Sequence, residues 1–225
     1  MNKQSVPVSL IAAASRCPVR AYLMHSSPFE ETRDYTICKQ VSYHLGGALS
    51  FPEIWDEIIA VSPATGETGA ARLKTCITAC SSKNWRIASD HDLSVRSEKY
   101  GISGKIDRIF EEPPYFSIVR PVTTPAAGIY LQDRVRVAAY ALCLSEMYGE
   151  TIGSGNVEYI PDGETRLCEI QPGDMRKFYL GLRIARNIGA GSIPKRPTHA
   201  PCTSCPYSSR CDPGPKSLSE RFLKR

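Results

Sequence analysis

The chain has 225 residues, 42% of them hydrophobic and 23% charged, with 28 Lys and Arg against 23 Asp and Glu for a formal net charge of +5. That is the composition of an ordinary soluble globular protein, large enough to bury a core without disulfides, and its modest charge neither demands nor excludes nucleic acid. No run of about 18 apolar residues exists, so no membrane-spanning helix is expected, and the apolar stretch in MNKQSVPVSLIAAAS is too weak for a signal peptide.

The first third reads as helical. Ser9 is placed to cap a helix from Leu10, and Pro18 to open a second one. Residues 37–49, 52–60 and 69–81 have helical spacing, the last with Leu73, Cys76, Ile77 and Cys80 on one face. The period then changes to short alternating runs: WRIAS, DLSVRSEKY, GISGKIDRIF and YFSIVRP, with EEPP as a turn before the last. These predict an antiparallel meander. A helix over 129–148 follows, with Val135, Ala138, Ala139, Leu142 and Cys143 on one face. NVEYIP and TRLCEIQ form a hairpin through Asp162-Gly163, and a helix over 174–188 closes the regular part. The expected fold is α/β, a single domain over 1–225. It has a mainly helical part at 1–84, a core of mixed sheet and flanking helices at 85–190, and a cysteine loop with a basic tail at 191–225.

Nine cysteines are an odd count, and Cys143 and Cys168 fall inside apolar periodic segments, which argues for a reducing, cytoplasmic compartment. Cys76 and Cys80 read as small buried residues. Four others are split between the ends of the chain. Cys17 stands alone in SRCPVRAYL, and Cys202, Cys205 and Cys211 share CTSCPYSSRC, with Pro201, Pro206 and Pro213 shaping a non-helical loop. Four thiolates suit a four-iron, four-sulfur cluster or a structural zinc, and the one-plus-three layout favours the cluster. Such a ligand ties the two ends of the chain together. Basic residues gather at Arg16, Arg20, Arg33 and Lys39, at Arg183, Arg186, Lys195 and Arg196, and at Arg221, Lys224 and Arg225. They suit a phosphate-binding groove or a solvated surface equally.

SRCPVRAYL, the histidine of YHLGG, GKIDRI, the helix RVAAYALCLSE, VEYIPDG and CTSCPYSSRC occur in that order. In this order they resemble the RecB-like nucleases of the PD-(D/E)xK superfamily, and above all the CRISPR-associated exonucleases that carry a four-cysteine iron–sulfur cluster. The resemblance covers nearly the whole chain. It implies a nuclease-like mixed sheet, with Cys17, Cys202, Cys205 and Cys211 as cluster ligands. It also implies that His44 approaches a catalytic metal, that Asp107 is the first metal carboxylate, and that Tyr140 ends a Q-x-x-x-Y helix motif.

Three departures weaken the implied nuclease. The E-x-K positions of the strand after Asp107 hold Val119 and Pro121, and residues 115–132 contain no carboxylate. Hard divalent ions need oxygen ligands, so magnesium or manganese is not expected. The Gln of the helix motif is Arg136, expected on the face of Tyr140 and paired with Asp107. Glu111 and Glu112 read as solvated turn residues. The leading expectation is therefore an inactive nuclease scaffold of CRISPR adaptation. It would bind DNA, single-stranded or with overhangs, and dock onto integrase proteins, with phosphates on Arg and Lys and a base stacked on Tyr140. An active single-strand exonuclease with an altered site is the second reading, and an iron–sulfur interaction or redox module the third.

Overall fold

A computed structural model describes residues 5–27, 31–198, 200, 202, 203 and 205–211. The predicted basic tail and the loop residues Pro201 and Pro213 lie outside them. A two-residue strand, β1 (Val6–Pro7), leads into α1 (Val8–Arg16), α2 (Pro18–His25), α3 (Arg33–Tyr43), α4 (Phe51–Val61) and α5 (Gly66–Ser81). Then come β2 (Asp90–Ser97), β3 (Ile102–Ile109), β4 (Phe116–Arg120), α6 (Leu131–Tyr148), β5 (Ser154–Tyr159), β6 (Glu164–Glu169) and α7 (Pro172–Gly189).

Helix starts follow local chemistry. Thr32 caps α3, its hydroxyl accepting from Tyr35 N–H, so that helix begins four residues earlier than its apolar period suggests. It ends at Tyr43 rather than 49, because Gly46 has a φ of 96°, which side-chain-bearing residues rarely adopt. Asp174 and Gln171 cap α7 reciprocally. The first helix starts at Val8, without the expected Ser9 cap. WRIAS is not a strand; there, Arg86 donates to the carbonyls of Pro114 and Glu112 and holds the loop on the Pro113-Pro114 turn.

The architecture is mixed α/β, as expected: one sheet with helices on both faces. β2, β3 and β4 form the predicted antiparallel meander, β5 runs parallel to β4, and β6 pairs antiparallel with β5. Side chains alternate across β4, so Ile118 and Val119 enter different cores. Ile118 joins Val8, Ile11, Val135, Tyr140 and Phe178 on the side of α1, α6 and α7. Val119 joins Ile37, Val41, Ile54, Ile58 and Leu73 on the side of α3, α4 and α5. Each such side chain, fully buried, contributes about 1.5–3 kcal/mol. The 160s turn packs tightly on α5: Gly163 has a φ of 62°, and a Cβ there would lie 2.1 Å from the Ala79 carbonyl oxygen.

One detail of the sheet positions the site. β2 covers one edge of β3 along its whole length. The other edge is shared, by β1 at Ile102–Ser103 and by β4 at Arg108–Ile109. The stretch from Gly104 to Asp107 lies in the fork between them. Among the described residues, no helix is long and apolar enough to cross a membrane.

Candidate functional site

The fork is closed by an aspartate. In register, Val119 N–H would reach the backbone of Ile106. It donates instead to Asp107 Oδ2, at 2.7 Å. The other oxygen, Oδ1, accepts from Lys39 Nζ at 2.8 Å and from the Tyr35 hydroxyl at 3.0 Å. Both donors come from one face of α3, four residues apart.

A second acid meets the same lysine. Leu93 pairs with Ile106 and His91 with Arg108, so Asp92 lies opposite Asp107. Asp92 has a φ of 58°, in the left-handed region that Asp tolerates better than most residues. Its Oδ1 is 2.5 Å from Lys39 Nζ, and its Oδ2 accepts from the Tyr43 hydroxyl at 2.6 Å. Burial works to raise the Asp92 pKa, but the Lys39 and Tyr43 hydrogen bonds outweigh it and hold the carboxyl below the usual range. Burial and the Asp107 charge push the Tyr35 hydroxyl up, so it stays a proton donor. Three of the four carboxylate oxygens thus accept hydrogen bonds, and the fourth, Asp92 Oδ1, is held through its ion pair with Lys39. A polar cavity of about 220 Å³ opens beside this group, lined by Lys39, Tyr43, Asp92, Glu31 and Lys105, with Asp107 behind them.

On the neighbouring strand, Glu158 is aligned with Val119, the position of the missing E-x-K glutamate. It is buried, and Arg108 Nη1 donates to it at 2.6 Å. The same guanidinium donates to the carbonyls of Leu45 and Arg86. Glu158 and Arg108 are therefore a buried ion pair, with Glu158 Oε2 and Arg108 Nε left without a hydrogen-bond partner among the described residues.

Several predicted residues stand elsewhere than the resemblance implies. His44 caps the C-terminus of α3, and its Nε2 bonds Glu57 of α4 at 3.0 Å, not the Asp107 group. Arg136 does not pair with Asp107, whose oxygens are already taken. It bonds Asp133 Oδ1 at 2.9 Å, one turn earlier on its own helix. Arg120 Nε is 2.7 Å from the same oxygen. The carboxylate-free window in the sequence stops one residue short of Asp133. Burial and the Arg120 charge lower the Arg136 pKa to about 10. Tyr140 is 8% exposed, against Gly104 and Phe116, so it offers no face to a stacking base. A Cβ at Gly104 would come within 2.7 Å of the Tyr140 ring, which explains the glycine of GKID. Glu111 and Glu112 are exposed.

The four predicted cluster cysteines meet. Cys17 sits at the break between α1 and α2, where its N–H still bonds Ala13 O at 2.9 Å and Pro18 starts the next helix. Short turns bring the other three round: Cys205 N–H to Cys202 O, Ser208 N–H to Cys205 O, and Arg210 N–H to Tyr207 O. Cys17, Cys202, Cys205 and Cys211 then line one cavity of about 60 Å³, together with Arg20, Arg196 and Leu23. Arg196 Nη2 donates to Cys202 Sγ at 2.8 Å. Burial, then the neighbouring thiols, raises the Cys211 pKa, with Arg196 opposing. Four-coordinate zinc needs every sulfur about 2.3 Å from one point. Among the described residues no three Cys, His, Asp or Glu are placed to hold a metal ion as they stand. Four thiols round one cavity, with two arginines to balance negative charge, are a donor set that suits either a four-iron cluster or a zinc ion.

A comparison with protein-family models finds no match, and a comparison with curated proteins finds none either.

Proposed function

We propose that this chain is a catalytically silent, cytoplasmic member of the RecB-like nucleases, one that binds DNA and works in CRISPR adaptation beside the integrase. The supporting observation is the Lys39 ammonium between Asp92 and Asp107, with every carboxylate oxygen engaged by the chain itself. A magnesium or manganese ion would have to displace an ammonium 2.5 and 2.8 Å from its two acids and then compete with a backbone amide. The residues present do not fit a divalent ion there. An iron–sulfur cluster on Cys17, Cys202, Cys205 and Cys211 would be structural, holding the two ends of the chain. Its thiolates would come from these four residues, with Arg20 and Arg196 as counter-charges.

The test uses labelled single strands and duplexes with overhangs, in magnesium or manganese, with the native chain and with Asp107→Ala. Binding that weakens steeply with salt, without cleavage, is expected. Manganese-dependent cleavage abolished by Asp107→Ala would overturn the proposal.

One observation favours a second reading, an active exonuclease. Two aspartates and a lysine do converge, and two of the three line an open cavity. In an active enzyme, Asp92 would supply the missing second acid and Lys39 the missing lysine. Cleavage would then fall with Asp92→Asn and Lys39→Met as well as with Asp107→Ala.

A further inference from the structure

Four arginines come together where the end of α1, the start of α2, the end of β4 and the second turn of α6 meet. Arg16 and Arg120 lie close enough to Arg20 for their charges to add to burial in lowering its pKa. Arg120 and Arg20 do the same to Arg136. Arg20 also lines the cysteine cavity, which leaves its charge for the thiolates. Its Nε is buried without a hydrogen-bond partner among the described residues. Of the other three, Arg120 and Arg136 face a single acid, Asp133. Arg120 and Arg136 share its Oδ1, and the Tyr159 hydroxyl reaches Oδ2 at 3.4 Å. Among the described residues Arg16 has a neutral partner: the Gln132 amide oxygen, turned toward it, accepts from Nη1 at 2.5 Å and Nε at 3.2 Å.

Three guanidiniums against one carboxylate leave an excess of two positive charges. Arg120 and Arg136 are largely covered, their side chains 18% and 17% exposed. Like charges held this close and this dry repel, and among the described residues Asp133 alone is paired with them. A dianion would. Guanidinium forks match phosphate oxygens geometrically, and a phosphomonoester carries about the charge required. A strand passing through would bring single-charged diesters, and it would need openings on two sides of a cluster that is mostly covered.

We propose that Arg16, Arg120 and Arg136 form a binding site for the terminal phosphate of a nucleic-acid strand. This rests on the DNA-binding reading above and adds to it which part of the strand is held. Arg136 is one helical turn before Tyr140, about 6 Å along α6, so a strand end held there lies beside the fork.

The experiment measures anisotropy of one oligonucleotide sequence with a 5′-phosphate, a 3′-phosphate or hydroxyl ends, with inorganic phosphate as competitor and as thermal-shift ligand. One phosphorylated end should bind about tenfold tighter than the hydroxyl form. Arg16→Gln should remove that preference, so that neither phosphorylated form binds tighter than the hydroxyl form. Arg16 pairs with no acid among the described residues, so this variant should fold. Asp133→Asn enlarges the charge excess and should hold or increase the preference, whereas a mere folding defect would lower it. Equal affinity for all three ends, with salt-dependent binding intact, overturns the phosphate site and leaves the DNA reading standing. Failure of every strand to bind removes the DNA reading. Stabilisation by inorganic phosphate through Arg16, without strand binding, assigns the arginines to free phosphate and overturns the strand-end proposal.

Discussion

The fork and the cysteine cavity are both clusters of reactive side chains, but they are satisfied in different ways. In the fork, two carboxylates, an ammonium, two hydroxyls and a backbone amide close on one another, and nothing is left for a ligand. In the cavity, four thiols stand round a space with two arginines, and Arg196 bonds only one of them. Cys17 is buried and the other three thiols are half-buried, a set of soft donors that a metal or cluster would complete. The fork carries the motif of a catalyst and is self-sufficient. The cavity, formed by the ends of the chain, is the part that asks for a partner.

The largest effect expected follows from completing the cavity. Anaerobically purified protein should carry iron and sulfide, and Cys205→Ser or Cys17→Ser should lose both. Cys143→Ser should not, because that thiol lies in the core, away from the cavity. A cluster joining residues 17 and 202 closes a very long loop. By analogy with a long-loop cross-link, its loss should cost about 4 kcal/mol in denaturant unfolding. One zinc and no iron in the native protein would undo the comparison as drawn.

The fork gives the next largest effect. Lys39→Met leaves Asp92 and Asp107 facing each other without a counter-charge, a loss of about 3 kcal/mol at neutral pH. Acid should narrow the gap between variant and native chain, since the two carboxyls can then take up protons. Manganese should raise the melting temperature of Lys39→Met and leave the native chain unchanged. A manganese shift in the native chain would mean that the fork is not closed.

Much of this comparison was legible in the sequence. The meander, the α6 and α7 segments and the cysteine set follow from period and spacing, which are local properties. The fork was half legible. Tyr35, Lys39 and Tyr43 are spaced i, i+4, i+8 on one helix, and a hairpin turning near residues 98–101 sets Asp92 opposite Asp107. Neither pattern announces that the helix lies over that hairpin. Reading the strand after Asp107 for its missing acid directed attention along the chain, whereas the neutralising lysine comes from another element. Arg136 was misplaced for a related reason. Helical spacing puts it on the face of Tyr140, but an acid one turn away on its own helix is a nearer partner than one across the sheet.

A smaller effect is expected in acid. Asp92 has a folded pKa below its ordinary value of 3.8, through Lys39 and Tyr43. Asp174 is likewise lowered: burial opposes, but the two-pronged Arg134 pair outweighs it. A depressed carboxylate stabilises the fold above its unfolded pKa, and that contribution disappears as pH falls through the folded pKa. Stability should therefore fall below about pH 4, and Asp92→Asn should flatten the slope there. An unchanged slope in Asp92→Asn would mean that its ion pair with Lys39 does not form in solution.

The smallest effect belongs to His44, the residue that the nuclease resemblance would place at a metal. Its bond to Glu57 joins α3 to α4 at the surface, with side chains 17% and 40% exposed. An exposed pair of this kind is worth about 0.5 kcal/mol. His44→Ala should cost no more than that in denaturant unfolding and should leave DNA affinity as it was, because Glu57 can turn to water. Lys39→Met, five residues earlier on α3 and facing Asp107 instead, should disturb both the fold and any manganese response. If His44→Ala instead abolished a metal-dependent activity and Lys39→Met did not, the resemblance would hold where the fork geometry fails. The helix would then have to rotate in solution to bring His44, rather than Lys39, over Asp107.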